Sequence, residues 1–186
     1  MKYSRRNMPN KPELVLAISV IFAIASVVYL RQNNIQMIIL KDEVIQADKV
    51  NGDVEKALKN LRKHIYSHMN TSLSSGQNSI SPPLQLKFGY ERAIEAEKTR
   101  VAAERSRIYT GAQEYCQQQL PQSVSGGPRV QCVTDYVTSH DIKENYVDSS
   151  LYKFDFSSPA WTPDIAGISM VIAILCLLIF IILSVI

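Results

Sequence analysis

Few residues in this sequence have the types and spacing that could do chemistry. His64 and His68 stand four apart, so on a helix they share one face and can hold a zinc ion between them. No His-Glu-x-x-His frame surrounds them, and a third ligand would have to come from His140 or a distant carboxylate. They are weak metal candidates, and the simpler reading makes them surface or helix-packing residues. Ser, His and Asp occur without a nucleophile elbow, and neither a Gly-rich phosphate loop nor a paired-carboxylate motif can be singled out. The expectation is a protein that is not an enzyme and needs no cofactor.

Cysteine usage says more. Cys176 falls inside an apolar run, which leaves Cys116 and Cys132 as a pair in the polar part of the chain. In an oxidising compartment such a pair closes, and a loop of about 15 residues contributes about 3 kcal/mol by restricting the unfolded chain. Two free buried thiols are the alternative. Asn70-Thr71-Ser72 matches a glycosylation sequon, a pattern short enough to arise by chance. Glu97 interrupts an apolar helical stripe; an edge position, snorkelling or a pair with a basic residue of a neighbouring helix would each make it a structural carboxylate, which fits better than a functional role.

The elements that would position these residues begin with two apolar runs. Residues 14–30 and 165–186 carry no charge. At about 1.5 Å per helical residue the second covers a hydrocarbon core of roughly 30 Å, and the first reaches the low end of the usual range. Lys2, Arg5, Arg6 and Lys11 precede the first run, with only Glu13 against them. Ala23-Ile24-Ala25 resembles a signal-peptidase site, so a cleaved signal peptide is one reading. The run continues through Val27, Val28, Tyr29 and Leu30, which suits an uncleaved anchor better. By the positive-inside rule the basic tail stays in the cytoplasm and the middle of the chain lies outside. Residues 31–164 hold 16 basic and 16 acidic side chains, so the formal charge of +3 comes from the tail and no nucleic-acid partner is expected.

Past Leu30 an apolar stripe through Ile35, Ile38, Ile39, Val44 and Ile45 carries the first helix to about Val50, where Asn51-Gly52 turns it. Asp53 is the expected N-cap of a second helix, with Leu58, Leu61, Ile65 and Met69 on one face and an end near Leu73. Residues 74–83 read as a loop at the membrane-distal end, closed by Pro82 and Pro83, with Pro83 suited to a first helical turn. A long helix follows from Leu84 to about Gln119, and Pro121 ends it. A shorter helix is expected over about 130–139. Residues 151–156 alternate over too few positions to define a strand. Phe154, Phe156 and Trp161 precede the last run, where amphipathic rings favour the headgroup layer or the base of the outer domain. Within that run Gly167, Ser169 and Ala173 would permit close helix approach.

The stretch 61–92, with Tyr66-Ser67-His68-Met69-Asn70-Thr71-Ser72-Leu73, Pro82-Pro83-Leu84-Gln85-Leu86 and Tyr90-Glu91-Arg92, resembles uncharacterised envelope proteins of ultrasmall, host-attached bacteria. So does Leu151-Tyr152-Lys153-Phe154-Asp155 with Ser158-Pro159-Ala160-Trp161. The resemblance implies a cell-envelope setting and no activity. The layout is also similar to the helical-bundle sensor modules of chemoreceptors, from which it departs in that no signalling domain is expected after Ile186.

These readings combine into a mainly α membrane protein with two transmembrane helices and an extracytoplasmic helical bundle containing one long helix. The expected segments are a cytoplasmic tail (1–13), a first span (14–30), the outer helical domain (31–163) and a second span (164–186). The expected role is a non-catalytic, membrane-anchored structural or interaction subunit of a cell-envelope assembly, offering Leu73, Asn78, Pro82 and Pro83 on its loop. Its partners would be the bilayer and either another protein or a second copy of the chain. The alternative is an extracytoplasmic ligand sensor that acts through a separate membrane partner, with Glu97 and Arg100 or Arg105 lining a pocket.

Overall fold

The computed structural model describes residues 11–73, 82–121, 123 and 126–185. Within them the chain is mainly helical and forms two compact units: one from the residues up to Gln85 together with those from Lys153 onward, the other from Leu86–Tyr152.

The first unit is built on α1 (Lys11–Lys49), a helix of 39 residues. It contains no proline after Pro12 and so runs unbroken from the apolar stretch into the charged one, about 58 Å at the standard rise. It ends as the sequence predicts. Asn51 takes a left-handed conformation (φ 56°), and the Gly52 amide reaches back five residues to the Ala47 carbonyl at 2.8 Å, which satisfies a carbonyl that the helix end would leave open. Asp53 then caps α2 (Val54–Ser67), its carboxylate accepting from the Lys56 amide at 2.9 Å. Folding α2 back on α1 buries Leu61 and Ile65, with Val44 of α1 also fully buried.

The second helix stops at Ser67, six residues before the expected end. Hydroxyls explain the early stop, because they compete for the carbonyls that another turn would use. Ser67 Oγ donates to the Lys63 and His64 carbonyls, Thr71 Oγ1 donates to those of Ile65 and His68, and Asn70 turns left-handed at φ 58°.

The last helix, α5 (Ile165–Val185), runs antiparallel to α1. Pro12–Lys49 and Ile165–Val185 are each long and apolar enough to cross a membrane. Their mutual face is small and buried, with Ser19, Ser26, Ala166, Ser169 and Ala173, whereas Ile21, Val27, Leu175, Leu178 and Ile182 on the outer faces are exposed. That pattern of small residues inside and large apolar residues outside suits surroundings as apolar as the side chains themselves.

Residues 151–156, too short for a readable alternation, take part in structure fixed by distant partners. Ser149–Tyr152 makes a 3-10 turn, and Lys153–Phe154 (β2) pairs antiparallel with Leu84–Gln85 (β1), Leu84 opposite Phe154 and Gln85 opposite Lys153. The long helix therefore starts later than expected: α3 is Lys87–Gln119, and Pro83 precedes a strand instead of opening a helix.

The second unit is thinner. Its 33-residue α3 buries Val101, Ala112 and Cys116, and α4 (Gly127–Ser139) packs beside its C-terminal half. Cys116 and Cys132 are joined by the expected disulfide. Tyr136 of α4 stacks on His140 and packs against Tyr115, and its hydroxyl lies where a side chain on Gly111 would press against it.

Candidate functional site

Two polar residues of the apolar run of α1, Ser19 and Ser26, and one just past its end, Asn33, follow one another at intervals of seven. Seven residues are two helical turns, so all three lie on one stripe. Each bonds to α5 or its cap. Ser19 Oγ donates to the Ala173 carbonyl at 2.8 Å, Ser26 Oγ to the Ala166 carbonyl at 3.1 Å, and Asn33 Nδ2 to Asp164 Oδ2 at 2.7 Å. The acceptors Ala166 and Ala173 are also seven apart, so the two helices are held in one register by matched polar contacts. Ala166, Ser169 and Ala173 thus face the chain's own first helix, whereas Gly167 faces the segment that leads into α5.

The end of this seam is a small hydrogen-bonded junction. Asp164 caps α5 by accepting from the Gly167 amide with Oδ1 while Oδ2 takes Asn33. The Asn33 carbonyl in turn lies 2.9 Å from His64 Nε2, which ties α2 to the same point. Gly167 has a local reason to be glycine: a Cβ there would collide with the Thr162 carbonyl. His64 and His68 stack with ring centroids 4.2 Å apart, and His68 Nδ1 lies 2.8 Å from the His64 carbonyl. One nitrogen of each ring is engaged with backbone, and no group of three or more metal-ligating side chains occurs among the described residues.

A second constellation closes around the loop. The backbone of Thr71 and the residue Ser158 bond reciprocally, the Ser158 amide donating to the Thr71 carbonyl and Ser158 Oγ accepting from the Thr71 amide, both at 3.1 Å. Ser72 bridges to Ser157, and the Leu73 amide donates to the Phe156 carbonyl at 3.2 Å. Together with the ladder from Leu84 and Gln85, one short segment, 153–158, grips the chain on both sides of the loop. Leu73 is 4% exposed and Leu84 1%, so both flanks are anchored in the core. Asn70, Ser72 and Leu73 line a groove with Val27, Leu30 and Ile38 of α1, which places this flank beside the end of the apolar run. The return of α2 along α1 brings the first flank of the loop back beside α1. Pro82 and Pro83 are half-buried, and Asn78 lies outside the described residues.

Phe154 and Phe156 are half-buried, their rings 6.1 Å apart, and Phe156 meets Tyr66 of α2 edge-on at 6.4 Å. They serve as packing at the base of α2. Trp161 is 52% exposed.

In the second unit Glu97 is paired, with Arg100 one turn along its own helix and not with a basic residue of a neighbouring helix. Arg100 Nη2 donates to Glu97 Oε1 at 2.7 Å and Arg100 Nε to Oε2 at 2.8 Å, while the Asn145 amide donates to Oε1 at 2.7 Å. The Arg100 guanidinium, then the Asn145 amide, hold its carboxyl down at about 2 from an ordinary 4.5. Arg100 also reaches the Lys143 carbonyl, so the pair fastens the extended segment after α4 along α3. A cleft of about 380 Å³ lies here, lined by Tyr90, Ile94, Glu97, Asn145 and Tyr146 among others. Arg105 lines a different hollow, with Ile108, His140 and Asp141.

No protein-family model matches the chain, and neither a curated protein nor a solved structure matches it.

Proposed function

We propose that the chain is a non-catalytic subunit of a membrane assembly, anchored by α1 and α5 as a two-span hairpin that carries its helical remainder on the extracytoplasmic side. The observation that carries this reading is the seam. Ser19, Ser26 and Asn33 each meet a partner across α5 or its cap, while the large apolar side chains of both helices face outward. In hydrocarbon there is no hydrophobic drive between helices, so packing of small residues and hydrogen bonds must hold them, and both are present. The basic tail keeps the N-terminus in the cytoplasm, and the resemblance to envelope proteins of ultrasmall, host-attached bacteria supplies the setting.

An interaction role is supported by the second unit. Tyr109, Tyr115, Val130, Tyr146 and Leu151 are exposed there, Tyr146 by 84%, on a body with little core of its own. Exposed aromatic side chains of this kind are what a protein interface buries. The sensor alternative would use the cleft at Glu97, but that carboxylate already accepts from Arg100 and from the Asn145 amide. Photoreactive residues at Tyr109, Tyr115 and Tyr146, tested in intact cells, should capture one defined species, another envelope protein or a second copy. Capture of nothing from all three positions contradicts the reading.

A further inference from the structure

The groove beside α1 points to a ligand that the anchoring role alone does not require. It holds about 540 Å³ between the helix and the stretch that follows α2, walled on that side by Asn70 and Leu73. Its floor is one helical stripe, with Val27, Arg31, Asn34, Ile38 and Lys41 spaced by three and four residues. Val27 and Leu30 belong to the apolar run itself, and Ile35 and Ile38 extend the same surface beyond it.

Two cations, Arg31 and Lys41, stand along that stripe, and no carboxylate lines the groove. Neither cation takes part in an ion pair among the described residues. An apolar channel that starts on a lipid-facing stretch and ends between two unneutralised cations matches an anionic amphiphile at both ends. We infer that this groove binds an anionic phospholipid of the surrounding membrane, an acyl chain lying along Val27 and Leu30 and the phosphate held between Arg31 and Lys41. Arginine presents a fork of donors that suits phosphate oxygens, and the lysine stem can bend its ammonium toward the headgroup level. The inference rests on the reading of α1 as a membrane span.

The test uses the full chain with Trp161→Phe and Val27→Trp, so that the new tryptophan is the only one and sits at the apolar end of the groove floor. The protein is reconstituted into phosphatidylcholine vesicles containing a minority of phosphatidylglycerol, with bromine on the acyl chains of one lipid or the other. Brominated phosphatidylglycerol should quench the tryptophan several-fold more than brominated phosphatidylcholine at equal mole fraction. Two basic residues near a surface correspond to a preference on the order of tenfold. Arg31→Gln with Lys41→Gln should abolish the preference, and Arg31→Lys with Lys41→Arg should keep it. Equal quenching by the two lipids overturns the inference while leaving the span intact. Copy-to-copy disulfides through an Ile38→Cys variant that persist whatever the lipid would assign the groove to a second chain and overturn it as well. A chain that fails to float with either vesicle removes the span and the lipid site together.

Discussion

The two units solve the same problem by different means. In the first, side chains distant in sequence close a core: Val44, Leu61, Ile65, Leu84 and Thr71 are fully buried, and hydrogen bonds between residues far apart in sequence stitch its segments together. In the second, a 33-residue helix buries only Val101, Ala112 and Cys116, and a disulfide joins it to α4. Small bodies cannot bury enough surface to offset chain entropy and rely on staples. The difference teaches that the first unit is held by packing and the second by a covalent link and a pinned strap, so the two should fail under different insults.

Leu61→Ala is the change with the largest expected effect. It opens a cavity in the first unit and should cost about 2 to 5 kcal/mol, read as faster amide exchange through α2 and residues 71–73 with α4 unchanged. Equal loss in α4 would break the distinction between the units. Cys116→Ser with Cys132→Ser should reverse the pattern, costing the second unit about 3 kcal/mol and exposing α4 to protease while α2 keeps its protection. Replacing Ser19 and Ser26 by alanine sharpens the account of the seam. Each hydrogen bond within a membrane contributes about 0.6 kcal/mol, so the double variant should loosen the α1–α5 pair modestly, seen as a small rise in exchange near the helix ends.

The smallest effect concerns the strap. Because the Glu97 carboxyl lies below its unfolded value, its contribution is fully present above about 4.5 and is lost as the pH falls through about 2. Protection of the Asn145 amide should therefore persist on mild acidification and disappear only near that lower value. Glu97→Gln should remove this dependence at every pH.

Much of this was legible in the sequence because it is local. The left-handed Asn51, the Asp53 cap and the run of helical spacing through α3 each depend on neighbours within a few residues. The disulfide followed from having one eligible pair. The seam was also written in the sequence, as two serines seven apart in an apolar run and an asparagine seven further on, but its meaning depends on Ala166 and Ala173 well over a hundred residues away. The grip of 153–158 on the loop flanks was not legible, since strands of two residues carry no readable alternation and are fixed only by their partners. The early end of α2 escaped notice because Met69 continues the apolar spacing, whereas the hydroxyls of Ser67 and Thr71 decide the outcome.

The most direct test of the anchored hairpin is disulfide trapping in carbonate-washed membranes, with Cys176→Ser as background. Ser26→Cys paired with Ala166→Cys should cross-link within one chain on mild oxidation, since the two residues are in hydrogen-bond contact, while Ser19→Cys with Ala166→Cys should not. Release of the chain by the carbonate wash, or cross-linking of the mismatched pair as readily as the matched one, would contradict the account.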